Sequence, residues 1–313
     1  MSEREVLVLD SLFDTLDVEQ QVAQSLGWTA RRWDGAEGSL HAARVVVHVR
    51  TPVDAALIGR MPECRVIGRF GTGLDSVDLE AAAAAGIAVV NVRDYCIPEM
   101  ASHTLGLAFA LERRLADGWD DPAWREADWQ AVAQRRPIPG RTAAAVIGFG
   151  SIGSAVAKAL HALRLRVLVV TRHAAEAVAR LGMKTASLGD ALHEGDFVFL
   201  HASLDSSTAG LMNHERLSMV RPGAILVNTA RLSLLDEDAV TDALETGQLG
   251  GLGLDARLPR ESPLRHFAGD PRVLITPHIG WYSRRSAQAL REQTIRRSIE
   301  AFQRSHSVNL PPP

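Results

Sequence analysis

The chain has 313 residues, 46% hydrophobic and 23% charged, enough for two domains with separate cores and ordinary for a globular enzyme. A net charge of −3 removes the electrostatic case for nucleic acid, and no apolar run is long enough to span a bilayer. The two cysteines, Cys64 and Cys96, are far apart in sequence, suggest neither a disulfide framework nor a metal site, and read as small buried residues. The first ten residues mix acid and base and lack the basic-then-apolar pattern of a signal peptide, so a cytoplasmic protein is expected. Strand-like runs follow at 5–9, 45–49, 65–70 and 88–92, with helical patterns between them. Thr51 with Pro52, followed by Asp54, predicts a helix capped by Thr51 with proline at its first position. Residues 78–85 read as a helix stopped by Gly86. This alternation implies a parallel sheet with helices on both faces.

A long helix is expected over 98–115. The irregular segment 117–140 carries Trp119, Trp124 and Trp129, to be buried against a partner subunit or packed on their own. A second α/β unit opens at Arg141, with strands at 143–147, 166–170, 196–200, 224–228, 250–254 and 272–275. A final helix over 284–304 leaves that unit and returns to the first. The expected domains are therefore 1–97 with 282–313, and 98–281 with 117–140 as a dimerisation segment.

The most specific signal is Gly148-Phe149-Gly150-Ser151-Ile152-Gly153, placed between a short buried strand and a helix. Gly148 permits a tight turn, Gly150 lets the backbone approach a pyrophosphate, and Gly153 lets the helix pack on the strand. The phosphates then sit on the amides that open the helix. The strand after that helix ends in Thr171-Arg172-His173, where NAD-binding folds usually carry an acid for the ribose 2′-hydroxyl. A cation there accepts a 2′-phosphate, so NADP(H) is preferred and NAD(H) remains possible; the alternative is that Arg172 is a solvated surface residue.

Beyond the glycine turn, the chain resembles the D-2-hydroxyacid dehydrogenases over most of residues 45–304. The resemblance rests on residues 66–78, on Asp94–Glu99 leading into His103-Thr104-Leu105, on Val227–Arg231, and on Thr276-Pro277-His278-Ile279-Gly280-Trp281-Tyr282-Ser283. The last run and residues 68–73 are closest to the C-terminal-binding-protein branch, which includes corepressors. The family implies a Rossmann dinucleotide fold inserted into a discontinuous flavodoxin-like substrate domain, both doubly wound parallel-sheet α/β units, and a homodimer. It implies reduction of a 2-oxo acid to a 2-hydroxy acid, with Arg231 holding the substrate and His278 giving the proton. Arg69, the amides of Gly71, Thr72 and Gly73, and Trp281 are candidate substrate contacts, with a plain tight turn and a packed hinge as the respective alternatives. Cofactor-side positions are implied at Thr104, His201, Ala202, Ser203, Thr208, Thr229, Ala230, Asp255 and Gly280, while His103 and His201 read as lining or packing rather than catalytic.

Three departures stand out. The family's Glu-Pro pair, whose glutamate bonds the catalytic histidine, is missing between Asp255 and Pro263, leaving Glu261 or Asp255 as substitutes. Leu232 replaces a glycine after the arginine, where it could reshape the pocket, and Ser203 replaces a proline. The missing glutamate keeps a second reading open, a weakly active or non-catalytic dinucleotide sensor.

Overall fold

Two parallel sheets organise the chain in a computed structural model that describes residues 4–115 and 143–307. They belong to two compact units, one of Met1–Cys96 with Ser283–Pro313, the other of Ile97–Tyr282. The tryptophans of segment 117–140 lie outside the described residues.

The first unit contains β1 (Glu5–Val8), β2 (Thr29–Arg32), β3 (Val45–His48), β4 (Val66–Arg69) and β5 (Ala88–Asn91), in the order β2-β1-β3-β4-β5. Every neighbouring pair is parallel. Its central strands are runs of valine, isoleucine and leucine with no exposed surface to speak of, as a sheet covered on both faces requires. Helices α1 (Asp17–Ser25), α2 (Glu37–His41), α3 (Ala55–Gly59) and α4 (Leu79–Ala84) connect the strands. Helix α3 begins later than the sequence suggested, with Asp54 as its cap, accepting from Leu57 N at 2.8 Å. Thr51 cannot cap it because the backbone is still extended at Val53, which bridges to Val77. Gly86 does stop α4, at φ 69°.

The last helix, α11 (Arg284–Ser307), packs on β3, β4, β5 and α1. Glycine at position 68 in β4 permits the approach, since a Cβ there would lie 2.2 Å from Ser298 Oγ. Trp28 meets Phe302 edge to face at 5.1 Å. Arg291 reaches the fully buried Glu19 on α1, with Nε bonded to both carboxylate oxygens at 2.9 and 3.0 Å and Nη2 at 2.6 Å. Removing one partner of such a buried pair strands the other charge, so this contact ties the end of the chain to its start.

The second unit contains β6 (Ala143–Ile147), β7 (Arg166–Val170), β8 (Lys184–Thr185), β9 (Phe197–Leu200), β10 (Ala224–Asn228), β11 (Leu249–Asp255) and β12 (Val273–Thr276). Their order is β12-β11-β10-β9-β6-β7-β8, again parallel throughout. Helices α5 (Ile97–Glu112) and α6 (Ser151–Ala162) cover one face, while α7 (Ala175–Arg180), α8 (Leu188–Glu194), α9 (His214–Met219) and α10 (Glu237–Glu245) complete the connections. Helix α5 stops at Glu112, three residues short of the expected end, as Arg114 turns left-handed at φ 54° and Leu115 N closes on Ala110 O at 2.9 Å. Glycine at 253 lets α5 settle on β11, since a Cβ there would touch Leu107 at 3.0 Å. The order turns back on either side of the β9–β6 pair, and in open α/β sheets ligands bind beyond the carboxyl ends at such a reversal.

Candidate active site

Six strands of the second unit deliver their following residues to one carboxyl edge: Gly148 after β6, Thr171 after β7, His201 after β9, Thr229 after β10, Ala256 after β11 and Pro277 after β12. The glycines of the β6 turn divide by purpose. Gly148 sits at φ 100°, and a Cβ there would come 2.4 Å from His201 O and 2.7 Å from Ala202 N. A Cβ on Gly153 would come 2.2 Å from Gly148 O. Both serve the close approach of turn, helix and the loop after β9. Gly150 does not: it is the N-cap of α6 at φ −75°, and no atom lies within 4 Å of the Cβ it lacks. The protein itself does not require glycine there. The missing side chain leaves the start of α6 uncovered, and that fits a dinucleotide pyrophosphate. Ser151 is exposed beside it, whereas Phe149 and Ile152 turn onto the core and only aim the backbone.

Beside this turn, Thr171 is half-buried and Arg172 and His173 are exposed. Arg172 is not simply solvated: its Nη2 lies 3.2 Å from Asp205 Oδ2, in the loop after β9. In that loop Thr208 Oγ1 donates to Ser203 O at 2.7 Å and accepts from Asp205 N at 2.8 Å. His201 has a buried Nε2 with no hydrogen-bond partner among the described residues, and burial pushes its pKa down to about 4. The ring is therefore neutral at physiological pH and suits packing rather than charge.

Arg231 is half-buried after β10 and is presented by Asn228, itself without exposed surface. Asn228 Nδ2 donates to Arg231 O at 2.8 Å and its Oδ1 accepts from Ala230 N at 3.0 Å. Arg231 Nη1 donates to Ala230 O at 2.9 Å, which bends the guanidinium back along the edge. Thr229 is buried and bonded at 2.7 Å to Thr104 Oγ1 on α5, and Thr104 in turn donates to Met100 O at 2.7 Å. With both bonds filled inside the fold, Thr104 supports Thr229 from behind and does not face a ligand. Leu232 joins the core beneath the edge instead of entering a pocket, because it opens a 3-10 turn (Leu232–Leu234) that packs inward.

His278 is exposed after β12 and adopts φ 61°, a left-handed backbone that costs energy in any residue but glycine. Asp255 holds that turn. Its buried carboxylate accepts from Ile279 N at 2.8 Å, Gly280 N at 2.8 Å and Thr276 Oγ1 at 2.6 Å. His103 Nε2 on α5 stands 2.9 Å from Thr276 Oγ1 and 3.7 Å from Asp255 Oδ1. Glycine at 280 is required by this crowd, since a Cβ would touch Asp255 Oδ2 and the His103 ring, both at 2.9 Å. The His278 ring itself is oriented by Asp255 O, 3.3 Å from Nδ1. A carbonyl only accepts, so Nδ1 carries the proton and Nε2 is left for chemistry. Among the described residues no carboxylate bonds this ring. Glu261 is exposed in its loop, so of the two substitutes Asp255 is the one at His278, acting through its main-chain oxygen.

Residues 105–280 match the family model described as D-isomer specific 2-hydroxyacid dehydrogenase, NAD binding domain, more than half of the chain. The chain belongs to this family. It is 32% identical over 273 residues to the glycerate dehydrogenase of Methylorubrum extorquens, covering 84% of this chain and 83% of that one. It is 35% identical over 244 residues to the D-3-phosphoglycerate dehydrogenase of Mycobacterium leprae, covering 76% of this chain but only 45% of that longer protein. Its fold matches the D-lactate dehydrogenase of Aquifex aeolicus, solved with NAD and lactic acid, with a TM-score of 0.83, 25% identity and 96% of each chain covered.

The first unit has a carboxyl edge of its own, where β4 ends at Arg69. Arg69 folds back on its own turn, Nη1 donating to Phe70 O at 2.7 Å, and lies where a Cβ on Gly71 would be, 1.5 Å from that position. Gly71 N donates to Arg69 O at 2.9 Å, so the expectation that this amide is offered to a substrate is corrected: the turn at φ 137° uses it internally. Thr72 is exposed, its hydroxyl donating to Val92 O at 3.0 Å, and Gly73 follows half-buried. Trp281 is half-buried, with its ring edge to face with Tyr282 at 5.6 Å.

The sequence reading missed Asn228, Thr276 and Asp205. Asn228 and Thr276 stand inside the Val227–Arg231 and Thr276–Ser283 runs, and the signal for them is a polar residue that closes an otherwise apolar strand. Asp205 offers no local signal, since its partner is 33 residues away.

Proposed function

We propose that the chain is an NADP(H)-preferring reductase of 2-oxo acids, able to use NAD(H) less well. The observation that carries this reading is one sheet edge with three features: an open glycine cap after β6, a guanidinium after β10, and an imidazole with free Nε2 after β12. The dinucleotide, when bound, supplies or takes the hydride. Gly148 to Gly153 seat its phosphates on the start of α6, with Ala202, Ser203, Thr208, Ala230 and Gly280 lining its course. Arg231 grips the substrate carboxylate and draws charge from the 2-oxo group. In its doubly protonated form His278 gives its Nε2 proton to the carbonyl oxygen and keeps the one on Nδ1, and Asp255 keeps the ring turned the right way. Arg69, Thr72 and Gly73 are proposed as further substrate contacts, which the KM of Arg69→Ala tests. Trp281 is proposed to favour extended 2-oxo acids over glyoxylate, and a homodimer is proposed from the family resemblance, to be checked by light scattering.

One observation favours a second reading, that of a dinucleotide sensor with little turnover: His278 rests on a carbonyl where the family uses a carboxylate. Oxidation of NADPH and NADH, followed with a series of 2-oxo acids from glyoxylate to branched ones, separates the two. The reductase reading expects turnover with at least one acid and NADPH ahead of NADH. Tight cofactor binding without turnover on any acid would establish the sensor.

A further inference from the structure

Arg172 and Asp205 occupy the loops that follow β7 and β9, and these strands flank β6 on either side. Their ion pair therefore crosses the carboxyl end of β6, where the glycine turn lies. The two members are not equally fixed. Asp205 Oδ1 accepts from Ser207 N at 2.9 Å and from Ser207 Oγ at 2.5 Å, and its main-chain oxygen takes the amides of Thr208 and Ala209. Those bonds, the Ser207 hydroxyl foremost and Arg172 after it, hold the Asp205 carboxyl down at about 2, so it is charged throughout the working range. Arg172 is 67% exposed along its side chain and has Asp205 as its one hydrogen-bonded partner among the described residues. The anion is tied into its own loop by Ser207, and the cation is held by that anion.

We propose that Asp205 is a second determinant of dinucleotide choice: it is the anion that a ribose 2′-phosphate must displace from Arg172. This rests on the reading of the edge as a dinucleotide site with Arg172 at the ribose. An exposed pair of this kind is weak, so the latch opens readily, and breaking it is the cost that a 2′-phosphate must meet to reach Arg172. The chain thus carries a cation that welcomes NADPH and an anion that tempers the preference. Asp205, not position 171, is where the acid facing the ribose side comes from, and it comes from the β9 loop.

The test is binding, measured by calorimetry with NADPH, NADH, 2′,5′-ADP and 5′-AMP on the full chain, on Asp205→Asn, on Arg172→Ala and on the double variant. Asp205→Asn should bind NADPH and 2′,5′-ADP about three- to fivefold tighter, with NADH and 5′-AMP within about twofold. In the Arg172→Ala background the gain should disappear, because no guanidinium is left to release. An unchanged or weakened NADPH affinity in Asp205→Asn, or a gain that survives loss of Arg172, would overturn the proposal. A parent that binds NADH better than NADPH refutes the NADP(H) preference alone, and the shift produced by Asp205→Asn still decides this inference.

Discussion

The two sheets of this chain share a parallel, doubly wound plan, but their carboxyl edges are finished in opposite ways. In the first unit the edge is closed by its own side chains. The Asp10 carboxylate fills a ring of amides, taking Val49 N and Arg50 N at 2.7 Å and Thr51 N at 3.1 Å. His48 is fully buried behind it, bonded to Thr51 O at 2.9 Å, and Arg69 lies down over Gly71. In the second unit the amides at the start of α6 have no internal anion among the described residues, and the space beyond Gly150 is open. At Asp10 the first edge spends its polar groups on the fold, whereas the second leaves Gly150 uncovered and the Nε2 of His278 without a bond among the described residues. Strand ends of the same architecture are thus not equal candidates for a site: what matters is whether the protein has already satisfied them.

Placing an anion where the second unit lacks one should break this contrast most severely. Gly150→Asp adds a good helix cap in open space, so the melting temperature should hold or rise. Its carboxylate opposes the pyrophosphate, and dinucleotide affinity should fall about 100-fold. Titration of NADPH with a parallel thermal melt checks both halves, and unaltered affinity would show that the phosphates lie elsewhere. The converse change in the first unit is Asp10→Ala. It leaves three amides without their carboxylate and should cost about 2 kcal/mol of stability in denaturant, with NADPH affinity unchanged. A loss of affinity there would mean that the Asp10 cluster does more than hold its own turn.

Near neutral pH the smallest effect is that of two buried histidines, which show themselves only in acid. Burial pushes His48 down to about 4, Arg69 adding to the depression and Asp10 opposing it, and burial alone does the same to His201. Near neutrality both rings are uncharged, folded or unfolded, and contribute nothing. As pH falls from the ordinary histidine value of 6.5 towards 4, the unfolded chain takes up protons that the fold refuses, so stability declines across that window. The penalty is complete below it. Thermal midpoints measured down through this range should show the decline, and His48→Gln should flatten it. An identical slope in that variant would assign the acid sensitivity to other groups.

Much of this was legible in the sequence because buried parallel strands are written as uninterrupted apolar runs and the glycine turn has a fixed spacing. The two strands that escaped, β2 and β8, are both outermost in their sheets. Strand β2 reads Thr-Ala-Arg-Arg and β8 reads Lys-Thr, because an edge strand is paired on one side and carries charge where a central strand carries valine. Arg231 and His278 were visible as motifs, but their supports were not. The bonds from Thr276 to His103 and from Arg172 to Asp205 join residues 173 and 33 positions apart, and no local pattern encodes such a meeting. The fate of the missing glutamate was equally hidden, since a main-chain oxygen of Asp255 serves the imidazole and any residue type carries one.

In the proposed reaction His278, oriented by the Asp255 carbonyl, delivers the proton with no carboxylate on its ring among the described residues. Single-turnover reduction of the best 2-oxo acid, with NADPH affinity measured alongside, tests this directly in His278→Gln. The hydride-transfer rate should fall about 10²–10⁴-fold with NADPH affinity unchanged, the range expected for loss of a general acid. A rate within a few fold of the parent would contradict it and move the proton donor to another residue.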